Sequence, residues 1–291
     1  MEQKYVFDSK SKFPFAYEEF SFNNWIELRN YLVSWKENHT FENYVFRGHS
    51  KSSWELIPTL ERIRPNIEDC WMPSWYIHAE ELSVGNFQRA IHLFANQQQI
   101  SNIYKPSNNI DWLSIMQHHG AATRLLDVSL SPLIAAFFAF ADINNAISEK
   151  CIWALPLSII DQKNESLVEL KTDDKFQELY EYYQDLKIGS GDGKDMIGYS
   201  FLKNPSERPY HQQAAFIYSM SNKKTFSSLL GNYYDNHFTC AKKLILNITN
   251  RAQIADVIND LKLMNITYSS LFPGIDGYSK DILLYQYIVN T

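Results

Sequence analysis

Apolar side chains recur at helical and strand periods along most of the chain. Trp25, Leu28, Tyr31, Leu32 and Trp35 sit three and four apart, with capping residues in Ser21 to Asn24 just before them, which predicts a helix. Residues 43–48 (Asn-Tyr-Val-Phe-Arg-Gly) read as a short strand ending at Gly48, followed by a polar loop and a proline-marked stretch through Pro58. Residues 78–100 read as a helix with Leu82, Phe87, Ile91 and Phe94 inward. Asp111 is placed to cap a helix whose Trp112, Ile115, Met116 and His119 share a face, and Gly120 is its natural stop. Thr123 to Val128 reads as a buried strand. Ser131 then offers an N-cap and Pro132 the first helical position. The helix from Leu133 to Asp142 is apolar nearly all round, so it belongs at the centre of the fold. Strands are expected over 150–157, 214–220 and 242–248, and helices over 251–264 and 279–289.

Helices and short strands follow one another without a regular alternation. That order predicts an α+β fold, one domain of short strands packed by helices. Residues 1–24 read as an irregular N-terminal arm and 25–291 as the domain proper. Residues 161–200 are polar and acidic, then marked by Gly189, Gly191 and Gly193. They read as a helical insertion with a mobile loop, placed to act as a lid or a partner surface.

Composition narrows the class. The 291 residues are 45% hydrophobic and 21% charged, as in an ordinary globular chain, and the formal charge of −6 gives no support to non-specific nucleic-acid binding. The longest strongly apolar run, Pro132 to Ala141, is far short of the roughly 20 residues of a membrane helix. The first residues carry no signal-peptide pattern. Cys70, Cys151 and Cys240 form neither a disulfide frame nor a zinc cluster, so a reduced, cytoplasmic protein without a membrane partner is expected.

Three segments set polar groups among apolar neighbours. In Phe46-Arg47-Gly48-His49, an arginine near the end of a buried strand must meet an anion, either a carboxylate such as Asp127 or a ligand phosphate. In the segment from Gln117 to Pro132, adjacent His118 and His119 point about 100° apart on a helix and rarely share one metal. Neither H-E-x-x-H nor a Cys cluster supplies further ligands, so no metal is expected. His119 reads as a hydrogen-bonded core histidine, with His118 nearer the surface. Arg124 and Asp127 read as a charge pair, and Ser129 and Ser131 share a side of an extended segment. The third segment, Glu207 to Gln213, puts Gln212 and Gln213 at the mouth of a strand.

Together these segments resemble the FRG domain family, named for its Phe-Arg-Gly motif. Phe46-Arg47-Gly48, Ser53-Trp54-Glu55-Leu56-Ile57-Pro58, Gln117-His118-His119-Gly120, Thr123-Arg124-Leu125-Leu126-Asp127, Ser131-Pro132, Gln212-Gln213-Ala214-Ala215-Phe216 and Ser270-Leu271-Phe272-Pro273-Gly274 carry the likeness over about 25–284. His49, Ala122, Val128, Ser129 and Ala214 depart from the family's usual residues. A more distant resemblance, to ADP-ribosyltransferases, rests on Arg47 in a strand and on Val128-Ser129-Leu130-Ser131-Pro132 running into an Ala135-Ala136, Phe138-Ala139 helix.

That second resemblance implies an ADP-ribosyltransferase-like fold, with the short strands in a split mixed sheet, and an enzyme that cleaves NAD and transfers ADP-ribose to a protein or nucleic-acid acceptor. The setting it implies is a bacterial toxin or phage-defence effector, with a phage-derived or antitoxin partner. The catalytic set is then Arg47, Ser129, Gln212 and Gln213, and the NAD-holding set Arg47, Gly48, His49, His119, Arg124, Asp127 and Ser131. No glutamate stands where such enzymes carry one, and Gln212 and Gln213 occupy its place. The rival expectation is a non-catalytic module that binds a nucleotide, a nucleic acid or a protein. A metal-dependent nuclease built on His118, His119 and Asp127 ranks last.

Overall fold

A computed structural model describes residues 1–6, 15–38, 43–63, 74–94, 106–170, 172–189, 193–201, 207–236 and 240–289. Strands β1 (Glu2–Val6) and β2 (Tyr17–Phe22) precede helices α1 (Trp25–Val33) and α2 (Trp35–Asn38). Strand β3 (Tyr44–His49) is followed by α3 (Thr59–Arg62), α4 (Ser74–Phe94) and α5 (Asn109–His118). Then come β4 (Leu125–Ser129), α6 (Pro132–Phe140), β5 (Glu149–Pro156), α7 (Leu157–Glu165), α8 (Lys175–Gln184) and β6 (Ile197–Phe201). The chain continues with α9 (Glu207–His211), β7 (Ala214–Ser219), α10 (Phe226–Tyr233), β8 (Ala241–Asn247), α11 (Arg251–Leu263), α12 (Tyr268–Leu271) and α13 (Ile275–Val289).

The class is α+β. The sheet is single rather than split: eight mixed strands in the order β1-β2-β8-β5-β3-β4-β7-β6, with β2 parallel to β8 and the other neighbours antiparallel. One join is narrow. β3 and β4 share the single pair Phe46–Ser129, whereas β3 pairs with β5 over six residues, Tyr44 to His49.

Alternation along the strands sends side chains to two cores, one on each face. Cys151, Trp153 and Leu155 enter a tyrosine-rich core with Tyr183, Tyr199, Tyr218 and Tyr234. Ile152 and Ala154 enter the other core with Phe137, Phe140, Ile254 and Leu284. Helix α6 starts as expected, with Ser131 accepting from the Ile134 amide and Pro132 next in line. It lies against β3 so closely that a Cβ at Gly48 would overlap the Ala135 carbonyl oxygen and sit 2.7 Å from the Ala139 amide nitrogen. Gly48 is required by this helix-on-strand contact.

The irregular arm expected over 1–24 contains two sheet strands. Glu18 and Glu19 are buried there because Lys242 and Lys243 face them from β8, with Lys242 Nζ 2.9 Å from Glu18. Leu82, expected inward, is exposed, while Glu80 and Val84 on the same helix are buried. Residues 95–100 of the expected helix lie outside the described residues. The helix expected to be capped by Asp111 is capped three residues earlier, by Asn108, which accepts from the Asp111 amide at 2.9 Å.

The 161–200 segment is built into the core. Asp161 accepts from the Tyr183 and Tyr199 hydroxyls at 2.9 Å, and buried Asn164 donates to the Ile197 carbonyl at 2.8 Å. Residues 171 and 190–192 of that segment lie outside the described residues. No described helix is long and apolar enough to cross a membrane.

Candidate functional site

A cavity of about 580 Å³ opens where β3 and β4 part, lined from both strands, α6, the loop after β3, α5 and the residues around α9. The sheet's narrow join creates it. Beyond the Phe46–Ser129 pair the strands diverge, and side chains from both faces reach the gap.

Arg47 bridges that gap. Its Nη1 donates to the Asp127 main-chain carbonyl, and its Nε donates to His49 Nε2 at 3.2 Å. The sequence left open whether a carboxylate or a ligand answers this arginine. Among the described residues no carboxylate forms an ion pair with it, and Asp127 offers its backbone rather than its side chain. Burial lowers the Arg47 pKa, and Asp127 partly restores it. His49, two residues on along the same side of the strand, is 5% exposed. Burial first, then the charges of Arg47 and Arg62, push it down to about 3, so it is neutral and able to accept from Arg47.

Two more arginines line the cavity. Arg62, at the end of α3, donates to Thr59 Oγ1 at 3.0 Å. Arg208 on α9 lies 4.3 Å from the Phe272 ring centroid, a cation–π contact, and burial lowers its pKa. Neither has a carboxylate within ion-pair distance among the described residues. Acid lines the cavity too, as Asp127 and Glu55. The Asp127 carboxylate lies within electrostatic reach of both Arg47 and Arg208 but pairs with neither. His118 also lines the cavity, its pKa lowered by burial, then by Arg208 and His119.

The expected site residues divide. Arg47, Gly48, His49, Asp127, Ser129 and Gln212 come together on the cavity. Ser129 Oγ donates to the Gln212 carbonyl at 2.8 Å and accepts from the Ser131 amide, so it holds the turn from β4 into α6. Gln212 Nε2 donates to the Leu271 carbonyl at 3.0 Å, which docks α9 on α12.

Four others stand elsewhere. Gln213 is an exposed turn residue at φ +46°, its carbonyl accepting from the Leu130 amide. Ser131 serves as the N-cap of α6. His119 is not a core histidine: α5 ends at His118, and His119 is its exposed C-cap. Arg124 does not pair with Asp127. It is 5% exposed, its Nε sits 2.9 Å from both Glu80 carboxylate oxygens, and its Nη1 reaches the carbonyls of Ser219 and Ser221 and the amide oxygen of Asn222. This arginine locks α4 to the β7 end of the sheet.

Sequence reasoning overlooked Arg62 and Arg208 as site residues, along with the exposed Trp54 on the rim. Trp54 and Arg208 lie inside segments already singled out, so their residue types alone were a usable signal. The Glu207 side chain lies outside the described residues. Among the described residues no group of three or more His, Cys, Asp or Glu side chains is placed to hold a metal ion.

Residues 42–147 match the family model described as the FRG domain. The match covers β3, the loop after it, α5, β4 and α6, and leaves Arg208, Gln212 and the 268–277 segment outside. Comparison with the curated proteins and with the solved structures gives no match.

Proposed function

The chain carries an FRG domain, and we propose that its cavity binds NAD and that the protein is an ADP-ribosyltransferase-like enzyme. One observation carries the ligand class. Three arginines, Arg47, Arg62 and Arg208, border one cavity, and among the described residues none of them forms an ion pair with a carboxylate. Structural arginines in an interior are neutralised by protein groups; cationic groups kept open around a cavity fit a ligand that brings its own anions. A diphosphate supplies two. The volume is of the size small-molecule and cofactor sites have, about 300–1,000 Å³.

The reaction breaks the bond between C1′ of the nicotinamide ribose and the pyridinium nitrogen. The bonding pair leaves on nicotinamide and neutralises its ring. The acceptor's lone pair forms the new bond to C1′, and its proton passes to solvent. Arg47 and Arg208 hold the diphosphate and so fix the ribose between them. The acceptor is a macromolecule, and the resemblance behind this reading adds a toxin or defence setting.

A second reading has its own observation. The Ser129 hydroxyl and the Gln212 side-chain amide, both expected at the reacting ribose, are engaged with main-chain carbonyls. A cavity in that state holds a nucleotide without turning it over. Calorimetric titration with NAD, followed by an assay for released nicotinamide in the presence of cell lysate, separates the two. Binding with release supports the transferase. Binding without release supports the module. Absence of NAD binding removes both.

A further inference from the structure

We propose that Trp54 is the stacking platform for the nucleobase of the ligand whose phosphates Arg47 holds, and so sets specificity for a nucleotide over a bare polyphosphate. The inference rests on the nucleotide reading above and names the part of the ligand that the arginines do not explain. Trp54 is 40% exposed at the cavity, whereas Trp25, Trp35 and Trp153 are 7%, 5% and 0% exposed. An indole left open to water beside a cationic cavity offers a large apolar face and waits for a flat partner.

Its position is fixed rather than loose. The loop that carries it is tied down by the Ser52 amide donating to the Glu149 carbonyl at 2.8 Å and by the Trp54 amide donating to the Lys51 carbonyl at 3.1 Å. The buried Leu56 follows. The indole meets the His49 ring edge-on, at 6.3 Å between centroids, and His49 in turn accepts from Arg47 Nε at 3.2 Å. Platform and phosphate-holding arginine are thus joined through a single imidazole. A base stacked on Trp54 leaves its 5′-phosphates at Arg47. The neutral His49 between them adds no charge that would draw the phosphates toward the platform.

The test is calorimetric titration of the full chain and of Trp54→Ala and Trp54→Phe with ADP and with inorganic pyrophosphate, each variant checked first by its melting temperature. Stacking on an aromatic ring accounts for roughly 10- to 100-fold in affinity per base. ADP should therefore bind the Trp54→Ala variant weaker by that factor and the Trp54→Phe variant close to wild type. Pyrophosphate should bind all three alike. Unchanged ADP affinity in Trp54→Ala overturns the assignment, as does equal weakening of ADP and pyrophosphate. Pyrophosphate binding with no gain for ADP in the wild type overturns the platform and leaves the phosphate site standing. If neither ADP, NAD nor pyrophosphate binds the wild type, the nucleotide reading itself has failed and the platform with it.

Discussion

Arg124 stands immediately before β4 and Arg47 within β3, on strands that touch at one residue pair, yet their surroundings are opposite. Arg124 is enclosed: Glu80 takes its charge, and two main-chain carbonyls and Asn222 take donors that remain. Arg47 makes two hydrogen bonds, to a main-chain carbonyl and to a neutral histidine, and its Nη2 meets no acceptor among the described residues. A guanidinium has five donors. Where the fold satisfies them the arginine is part of the framework. Where it leaves them open beside a cavity, the arginine is part of a site. Residue type alone does not separate the two cases; the count of satisfied donors does.

The largest effect belongs to the enclosed arginine. Arg124→Ala leaves the Glu80 carboxylate buried and alone, which should cost about 3–5 kcal/mol, read by chemical denaturation. Among the described residues Arg208→Ala removes a contact with the Phe272 ring and no ion pair, so its denaturation midpoint should stay near wild type while NAD affinity drops. A stability loss in Arg208→Ala as large as that in Arg124→Ala would erase the distinction between framework and site arginines.

Gly48→Ala comes next. The added methyl meets backbone atoms of α6 and cannot be relieved by rotating a side chain, so a loss of roughly 1–3 kcal/mol or more is expected, together with a displaced cavity wall.

His49 sets a pH dependence. Its folded pKa of about 3 lies below the ordinary 6.5, so the unfolded chain takes the proton first. The stability tied to neutral His49 is complete above pH 6.5 and is lost progressively as pH falls toward 3. A His49→Gln variant should show a flatter stability profile across that window. The smallest effect is at the turn: Gln213→Gly relieves a left-handed backbone conformation and should raise stability by up to about 1 kcal/mol without changing ligand affinity.

The sequence was most legible where local rules decide. Ser131-Pro132 announced the start of α6, and the strand around Phe46 stood out. It was least legible where distant charges meet. Glu80 lies 44 residues from Arg124 on an otherwise ordinary helix, and only the fold brings them together. β1 and β2 were read as an irregular arm; Glu2, Lys4, Glu18 and Glu19 interrupt the apolar alternation that marks a strand. In the fold, the first two stand at an exposed edge, and lysines of β8 face the last two. His119 was read inward because the helical period was carried one residue too far, past the end of α5. Gln213 was grouped with Gln212, but the turn between α9 and β7 sends the chain into positive φ at that residue.

The lone rung between β3 and β4 has a kinetic consequence. A sheet held by one pair at this line can open there more readily than along β3 and β5, where six residues pair. A ligand held on one bank by Arg47 and on the other by Arg208 would cross the line and act as a clasp. Deuterium should then enter the amides of β3 and β4 more slowly when the cavity is filled, so exchange at this line would report occupancy whatever chemistry follows.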